Sequence, residues 1–117
     1  LNLVKEGINV SIATDAYLPP ASHLNLEKDK LYGSEVLMFI ANSSMKLLFD
    51  NGYDENICLS LLTSNPAKIL GLEDSIGKLE VGMSADFLVC DGIPGLEFVD
   101  KESICDIFIN GKKVISR

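Results

Sequence analysis

The sequence contains a single histidine, His23, among 117 residues, and this scarcity limits the metal chemistry that the chain can perform by itself. A catalytic zinc site uses about three protein ligands, of which histidine is a common one. One histidine falls short of such a ligand set, so the isolated chain is expected to bind no metal. His23 lies in a stretch without periodicity and is interpreted as a solvent-exposed loop residue.

Basic residues and long apolar runs are also scarce. The chain has 10 Lys and Arg against 17 Asp and Glu, a net charge of −7, which excludes the basic surface of a nucleic-acid binder. The longest apolar run, Val36 to Ala41, is far shorter than the roughly 20 residues that span a bilayer. No secretory signal pattern is visible. We expect neither nucleic acid nor membrane as a partner.

The three cysteines, Cys58, Cys90 and Cys105, show no Cys-x-x-Cys spacing. Neither a zinc site nor a disulfide framework is therefore indicated. Isolated cysteines of this kind are typical of buried thiols in a reducing compartment. The sequence accordingly predicts a cytoplasmic protein.

Apolar material, by contrast, is ample, with 47% hydrophobic residues and a mean hydropathy of +0.23. The stretch from Ile8 to Ala16 alternates β-branched with small or polar residues and predicts a strand. The strand ends at Asp15, and a lone acid at the carboxyl end of a strand is typical of the catalytic groups of (β/α) barrels. Asp15 is the candidate catalytic residue; the alternative is an acid that caps the following loop.

Helices are predicted on both sides of a long loop, residues 16–33. Leu1 to Glu6 is expected to be a last helical turn closed by Gly7. Ser34 would cap a helix over residues 35–50, with a buried stripe of Val36, Phe39, Ile40, Leu47 and Leu48 and with Asn42, Ser43, Lys46 and Asp50 opposite. Asp54 would cap a second helix that buries Ile57, Leu61 and Leu62. Ser64 or Asn65, followed by Pro66 at the first helical position, would open a third helix that ends at Gly71.

Short β-rich runs follow Gly71, so the chain is predicted to divide into an α/β part, residues 1–72, and a β part, residues 73–117. Strands are expected at residues 86–90, 104–109 and 112–115. Asn110-Gly111 predicts a two-residue type I′ turn between the last two. Asp86 is expected to accept hydrogen bonds from backbone amides of the Gly82–Ala85 turn rather than to bind metal.

Three segments in this order resemble one known family. Thr63-Ser64-Asn65-Pro66-Ala67-Lys68-Ile69-Leu70-Gly71-Leu72 is similar to the T-x-N-P-A-x-x-L-G-L segment of metal-dependent amidohydrolases. Residues 76–89 are similar to the I-G-x-L-x-x-G-x-x-A-D-x-V-V segment of the same family, and residues 107–114 resemble its closing hairpin. The opening that runs from a short strand to Asp15 most resembles the imidazolonepropionase-related branch.

The resemblance implies a larger enzyme than this chain. It implies a (β/α)8 barrel with one or two divalent metals, such as Zn2+, and a small β-sandwich built from both ends of the chain. Residues 1–72 would supply the last strand and helices of that barrel, and residues 73–117 a segment of the sandwich. Asp15 matches the Asp after the eighth strand, which contacts metal and serves as the base. The implied reaction is hydrolysis of a non-peptide C–N bond in a small molecule of cyclic amide type.

Two interpretations remain. In the first, the chain is the carboxyl-terminal part of such an enzyme and is inactive by itself, since the histidine ligands and seven of eight barrel strands are missing. In the second, it is a non-catalytic structural or interaction module derived from an amidohydrolase. Because one strand cannot close a barrel, apolar surface would be left exposed, and we expect the chain to self-associate.

Overall fold

The computed structural model describes residues 1–13, 34–93, 95–97 and 101–116. The end of the predicted strand, the predicted loop 16–33 and the candidate residues Asp15 and His23 lie outside these residues. The helices are α1 (Asn2–Lys5), α2 (Ser34–Asp50), α3 (Glu55–Ser60) and α4 (Ser64–Ile69). The strands are β1 (Phe87–Cys90), β2 (Ile104–Ile109) and β3 (Lys112–Ser116), and a 3-10 turn, Lys101–Ser103, precedes β2.

The predicted glycine stops of the helices are confirmed. After α4, the Leu72 amide donates to the Ala67 carbonyl at 2.9 Å and the Gly71 amide donates to the Lys68 carbonyl at 3.2 Å. This pair of bonds is the Schellman motif, in which the residue after the cap takes a left-handed conformation, and Gly71 has φ 69°. Gly7 and Gly52 end α1 and α2 with the same pair of backbone bonds.

The buried face of α2 agrees with the prediction at Leu48 and differs from it at Leu47, while the side chains of Val36 and Phe39 lie outside the described part. Ala41, Met45 and Leu48 are buried, whereas Leu47 is 53% exposed. Residues 41, 45 and 48 follow one another at spacings of four and three, so they share a helix face from which residue 47 points away. Asn42, predicted on the polar side, is half-buried, and its Oδ1 accepts a bond from the Gly95 amide at 2.9 Å.

The starts of the next two helices agree with the sequence only in part. The Asp54 side chain caps α3, as predicted, by accepting from the Ile57 amide at 3.0 Å. The buried residues around α3 are Cys58 and Leu61, while Ile57 is 37% exposed, contrary to the prediction. Helix α4 begins at Ser64, so Pro66 occupies its third position and not the first. Pro is still tolerated there because the first turn's amides need no intrahelical acceptor.

The described part of the predicted strand, residues 8–13, forms no strand. An extended segment becomes a strand only when a neighbouring strand pairs with it along its edge. Within the described part of the chain, residues 8–13 contact the helical region instead: the Ile12 amide donates to the Leu61 carbonyl at 3.1 Å. The prediction of a strand is therefore wrong for residues 8–13.

The β part is a three-stranded antiparallel sheet in the order β1-β2-β3. Leu88 pairs with Ile107 and Ile107 with Ile115, so these three side chains share one face. Phe87 and Phe108 stack on the other face, with ring centroids 4.4 Å apart. The predicted turn is confirmed, since Asn110 and Gly111 have φ 51° and 72°, the two positive values that a type I′ turn requires.

The core lies in the helical part. Met45, Leu48, Cys58 and Leu61 form one buried cluster, and residues against which it packs include Val4, Val10, Ile12 and Phe49. Val10 and Ile12 thus dock the extended segment on α2 and α3. Among the helices that the structure describes, none has both the length and the apolar character needed to cross a bilayer.

Candidate functional site

The segment Asn9–Ile12, which leads towards the candidate base Asp15, is held by side chains rather than by a sheet. The Asn65 Nδ2 donates to the Val10 carbonyl at 2.8 Å. In return, the Asn9 Nδ2 donates to the Asn65 carbonyl at 3.2 Å. We call these two bonds the Asn65 clamp. Both join stretches more than fifty residues apart in sequence, so the clamp fixes tertiary structure.

Helix α4 gives the clamp a firm base. Asn65 lies in its first turn, directly before Pro66. Ala67, two residues further along the helix, is buried, with 3% exposure. Gly77 packs against the same helix so closely that a Cβ there would lie 2.7 Å from the Cβ of Ala67. Helix α4 is therefore held between the core and the chain that follows it.

The clamp satisfies backbone groups that lack strand partners. Val10 is half-buried, and a buried carbonyl left without a donor costs roughly 1–3 kcal/mol. The Asn65 amide supplies that donor, and the Leu61 carbonyl accepts the Ile12 amide at 3.1 Å. The path of the chain is thereby set at two positions just before Asp15.

The described residues do not by themselves fit a metal centre. No group of three His, Cys, Asp or Glu side chains that could hold an ion occurs among residues 1–13, 34–93, 95–97 and 101–116. Asp15 and His23, the only histidine of the sequence, lie outside this part.

Asp86 has a structural role, as predicted, but its backbone partner differs from the prediction. Its Oδ1 accepts from the Asn110 amide at 2.6 Å, and its Oδ2 accepts from the Ser84 hydroxyl at 2.9 Å. The partner amide thus belongs to the β2–β3 turn and not to the Gly82–Ala85 turn. Asp86 joins the start of β1 to that turn.

The three thiols are free. Cys58 is buried, as predicted, whereas Cys90 and Cys105 are only half-buried. Burial raises the pKa of the Cys58 thiol, and the nearby Asp54 carboxylate adds to the rise. Burial also raises the pKa of Cys90, with a smaller contribution from Cys105. Thiols with raised pKa values are poor nucleophiles at neutral pH, so Cys58 and Cys90 are not candidate catalytic groups.

Sequence reasoning missed the role of the two asparagines. Asn65 was predicted only as an opener of α4, and Asn9 received no role. Their pairing could not be found from local sequence, because each bond crosses more than fifty residues. The available signal was the position of Asn65 inside the segment shared with amidohydrolases, since a helix opener alone would not require asparagine there.

Comparison with known proteins agrees with the motifs. A family model described as "Amidohydrolase family" matches residues 1–114. An imidazolonepropionase from Shewanella sediminis is 58% identical over 33 residues, which are 28% of this chain and 8% of that protein. The chain therefore spans a small part of the length of this curated relative.

Two solved structures match nearly the whole chain. An amidohydrolase from Thermotoga maritima has 27% identity and a TM-score of 0.56, covering 99% of this chain and 33% of its own. A 5-methylcytosine deaminase from Klebsiella pneumoniae, liganded with phosphonocytosine, has 26% identity and a TM-score of 0.67, covering 99% of this chain and 27% of its own. The helices and the small sheet thus occur together within larger proteins.

Proposed function

Because this chain belongs to the amidohydrolase family, we propose that it forms the carboxyl-terminal part of a longer metal-dependent hydrolase of non-peptide C–N bonds. Support comes from the family match over residues 1–114. It also comes from the two solved structures, because this chain corresponds to only one third or less of each of them. In this proposal residues 1–72 complete a (β/α)8 barrel, and residues 73–117 contribute strands to a composite β-sandwich.

The proposed substrate is a small molecule with a cyclic amide. The 58% identity to an imidazolonepropionase over 33 residues supports this class. We propose a cytoplasmic location, for which the three free thiols are the supporting observation.

Asp15 is the proposed base. Its carboxylate would take a proton from the attacking water and deliver it to the nitrogen that leaves as the C–N bond breaks. It would also contact the divalent metal, zinc or another ion, that the family typically holds. The remaining ligands would come from the rest of the longer protein, because the described residues of this chain contain no three-ligand group.

The observation that carries the proposal is the Asn65 clamp. Asn65, a residue of the Thr63–Leu72 segment, donates from Nδ2 to the carbonyl of Val10, five residues before Asp15 in the sequence, at 2.8 Å. A segment that identifies the family is thus tied directly to the segment before the proposed base. Catalytic groups act efficiently only when their backbone is held in one geometry.

The test uses the longest native polypeptide that contains these residues, assayed against a panel of cyclic amides that includes hydantoin and dihydrouracil. Asp15→Asn should lower kcat by about 100-fold or more, because removing a general base costs factors of this size. The matched control is Asp50→Asn, which removes an exposed acid that pairs with Lys46 at 3.1 Å. We expect the control to keep kcat within about twofold, since exposed ion pairs contribute little.

Metal content, measured on the same samples by elemental mass spectrometry, distinguishes the two proposed roles of Asp15, proton transfer and contact with the metal. A fall in both metal content and kcat supports a metal-contacting base. Full activity of Asp15→Asn would show that another residue is the base and would refute the proposed assignment.

A second candidate function, an interaction module, is favoured by one observation. The sheet face formed by Leu88, Ile107 and Ile115 carries no covering layer among the described residues, and Leu88 and Ile115 are 51% and 50% exposed. We propose that a second copy of the chain covers this face when the chain is alone in solution.

A further inference from the structure

We propose that Cys90 and Cys105 form a reversible disulfide that fastens the loop between β1 and β2 under oxidising conditions. Cys90 ends β1, and Cys105 is the second residue of β2. Both thiols are free in the structure, which is the state expected under reducing conditions. Their pairing is separate from the proposed hydrolysis and does not depend on which residue is the base.

The register of the two strands brings the cysteines together. The two residues before Cys90 pair in step with residues 107 and 106, so an unbroken ladder would place Cys90 opposite Cys105. The register shifts at this step, and the Cα partner of Cys90 is Ile104. Two residues of β2 thus lie opposite Cys90, as in a β-bulge, and Cys105 is one of them.

Both cysteine side chains lie on one face of the sheet. Successive residues of a strand point to opposite faces, so Cys90 shares the face of Leu88, and Cys105 shares that of Ile107. Leu88 and Ile107 are paired, so the two faces are the same. Facing residues of antiparallel strands have Cα atoms about 4.5–5.5 Å apart. A disulfide spans Cα separations of roughly 4.4–6.8 Å, so the strand spacing suits this bond.

Contacts at the loop end of the two strands support this placement. The Cys105 Sγ donates to the Ser103 carbonyl oxygen at 3.9 Å. The same oxygen accepts from the amide of Asp91, the residue after Cys90, at 2.7 Å. The Cys105 thiol also contributes to the raised pKa of Cys90, an electrostatic effect between neighbouring groups. The sulfur of Cys105 therefore lies beside the chain where β1 ends.

The first step of the reaction is oxidation of Cys105 by hydrogen peroxide. Burial raises the pKa of the Cys90 thiol, with a smaller contribution from Cys105, so Cys90 is the slower of the two to react. The Cys105 thiolate attacks one peroxide oxygen, and an S–O bond forms as the O–O bond breaks. The hydroxide that leaves takes up the proton released by the thiol, which gives a sulfenic acid and water.

The second step joins the two sulfur atoms. The Cys90 thiolate attacks the Cys105 sulfur, and an S–S bond forms as the S–O bond breaks. The hydroxide that leaves takes up the Cys90 proton and becomes a second water. The two thiols have then lost two electrons, which the peroxide has gained. A thiol such as reduced glutathione reverses the reaction by attacking the disulfide.

The bond would close the base of a loop that packs on α2. Within this loop the Gly95 amide donates to Asn42 Oδ1 at 2.9 Å, and a Cβ at Gly95 would lie 2.7 Å from the Cβ of Met45. A disulfide that closes a loop of about 15 residues shifts an unfolding equilibrium by a factor of roughly 100. Oxidation should therefore hold Gly95 more firmly on α2.

The experiment treats the longest native polypeptide that contains these residues with hydrogen peroxide, alkylates the remaining thiols and digests the protein without reduction. We expect two peptides joined through Cys90 and Cys105, lighter by two hydrogens than the free peptides, and separated again by reduced glutathione. Cys90→Ser and Cys105→Ser should each abolish this product. The matched control, Cys58→Ala, removes the buried thiol of α3 and should keep it.

Hydrogen exchange of the Gly95 amide measures the effect on the loop. In the oxidised parent, exchange should be about tenfold or more slower than in the reduced parent, because the closed loop opens less often. Peroxide should leave this exchange unchanged in Cys90→Ser. These measurements need no turnover, so they test the thiol pair independently of the proposed hydrolase.

Other results would overturn the proposed pairing. Oxidation of either thiol to a sulfinic acid without a linked product would show that the two sulfur atoms do not meet. A disulfide between two copies, seen as a dimer in non-reducing electrophoresis, would show that Cys90 and Cys105 of one chain are not partners. A linked product with unchanged Gly95 exchange would refute the effect on the loop.

Discussion

Gly77 and Gly82 flank Lys78–Val81 and share nearly the same backbone conformation, with φ 93° and 95°. Their surroundings differ. A Cβ at Gly77 would lie 2.7 Å from the Cβ of Ala67 and 3.0 Å from the Thr63 carbonyl oxygen, whereas a Cβ at Gly82 would meet nothing within 4 Å. Both glycines are needed for their positive φ, but only Gly77 is needed for close packing on α4.

We expect Gly82→Ala to lower the free energy of unfolding by about 1–2 kcal/mol, the cost of a left-handed conformation for an L-residue. Gly77→Ala should cost about 1–3 kcal/mol more, because overpacking against α4 is added to the same strain. Urea unfolding followed by circular dichroism measures both. Equal losses in the two variants would mean that α4 moves aside without cost and that its contact with Gly77 is not tight.

Residue-level features that depend on backbone conformation could be predicted from sequence. The Gly7, Gly52 and Gly71 stops, the Asn110-Gly111 turn and the Asp54 cap all occur as predicted. Each is decided within a few residues by φ or by one local hydrogen bond. The bond between Asn65 and Val10 could not be predicted in this way, because it depends on how distant parts of the chain meet.

At the scale of elements, α2 shows that hydrophobic periodicity alone does not predict which apolar residues of a helix are buried. Its sequence has apolar residues at more positions than one face can hold, including Leu47 and Leu48 side by side. The structure buries Met45 completely and leaves Leu47 53% exposed. The choice between neighbouring apolar residues is made by the partner surface, here Cys58 and Leu61 from the α3 region. The hydrophobic pattern of one helix does not indicate which surface that helix packs against.

The two positions should respond differently to truncation. Met45→Ala should lower the free energy of unfolding by about 2–5 kcal/mol, because it opens a cavity in the core cluster. Leu47→Ala should change it by less than about 1 kcal/mol, since an exposed side chain loses little packing. Thermal or urea unfolding of the two variants checks this. A larger loss from Leu47→Ala would indicate that another part of the protein covers that side of α2.

The strand predicted at residues 8–16 illustrates a second limit. Alternating β-branched residues indicate an extended backbone, and residues 8–13 do follow a non-helical path. Whether such a path becomes a strand depends on a neighbour with free edge groups. The three strands of the β part were predicted to within about one residue, because each finds its partner within this chain: β1 on β2 and β2 on β3.

At the scale of the whole molecule, the chain has a small core and much exposed apolar surface. The buried hydrophobic residues of its described part are six, all within α2, α3, α4 or the residue after α3. The sheet contributes none of them, and its Leu88–Ile107–Ile115 face is open to solvent on two of its three members. A surface of this kind is normally covered by other protein.

Self-association of the isolated chain through this face is therefore expected, and Leu88→Lys should weaken it. Placing an ammonium group on the face prevents burial of one large apolar side chain, which should raise the dissociation constant about tenfold or more.

The matched control is Leu79→Lys, which alters a 68% exposed leucine outside the sheet. Both substitutions bring the net charge of −7 equally closer to zero, and that change alone favours association. Weaker association in Leu88→Lys alone, measured by sedimentation equilibrium, must then arise from the face itself. A parent chain that stays monomeric at every concentration, or equal behaviour of the two variants, would show that the face does not bind a second copy.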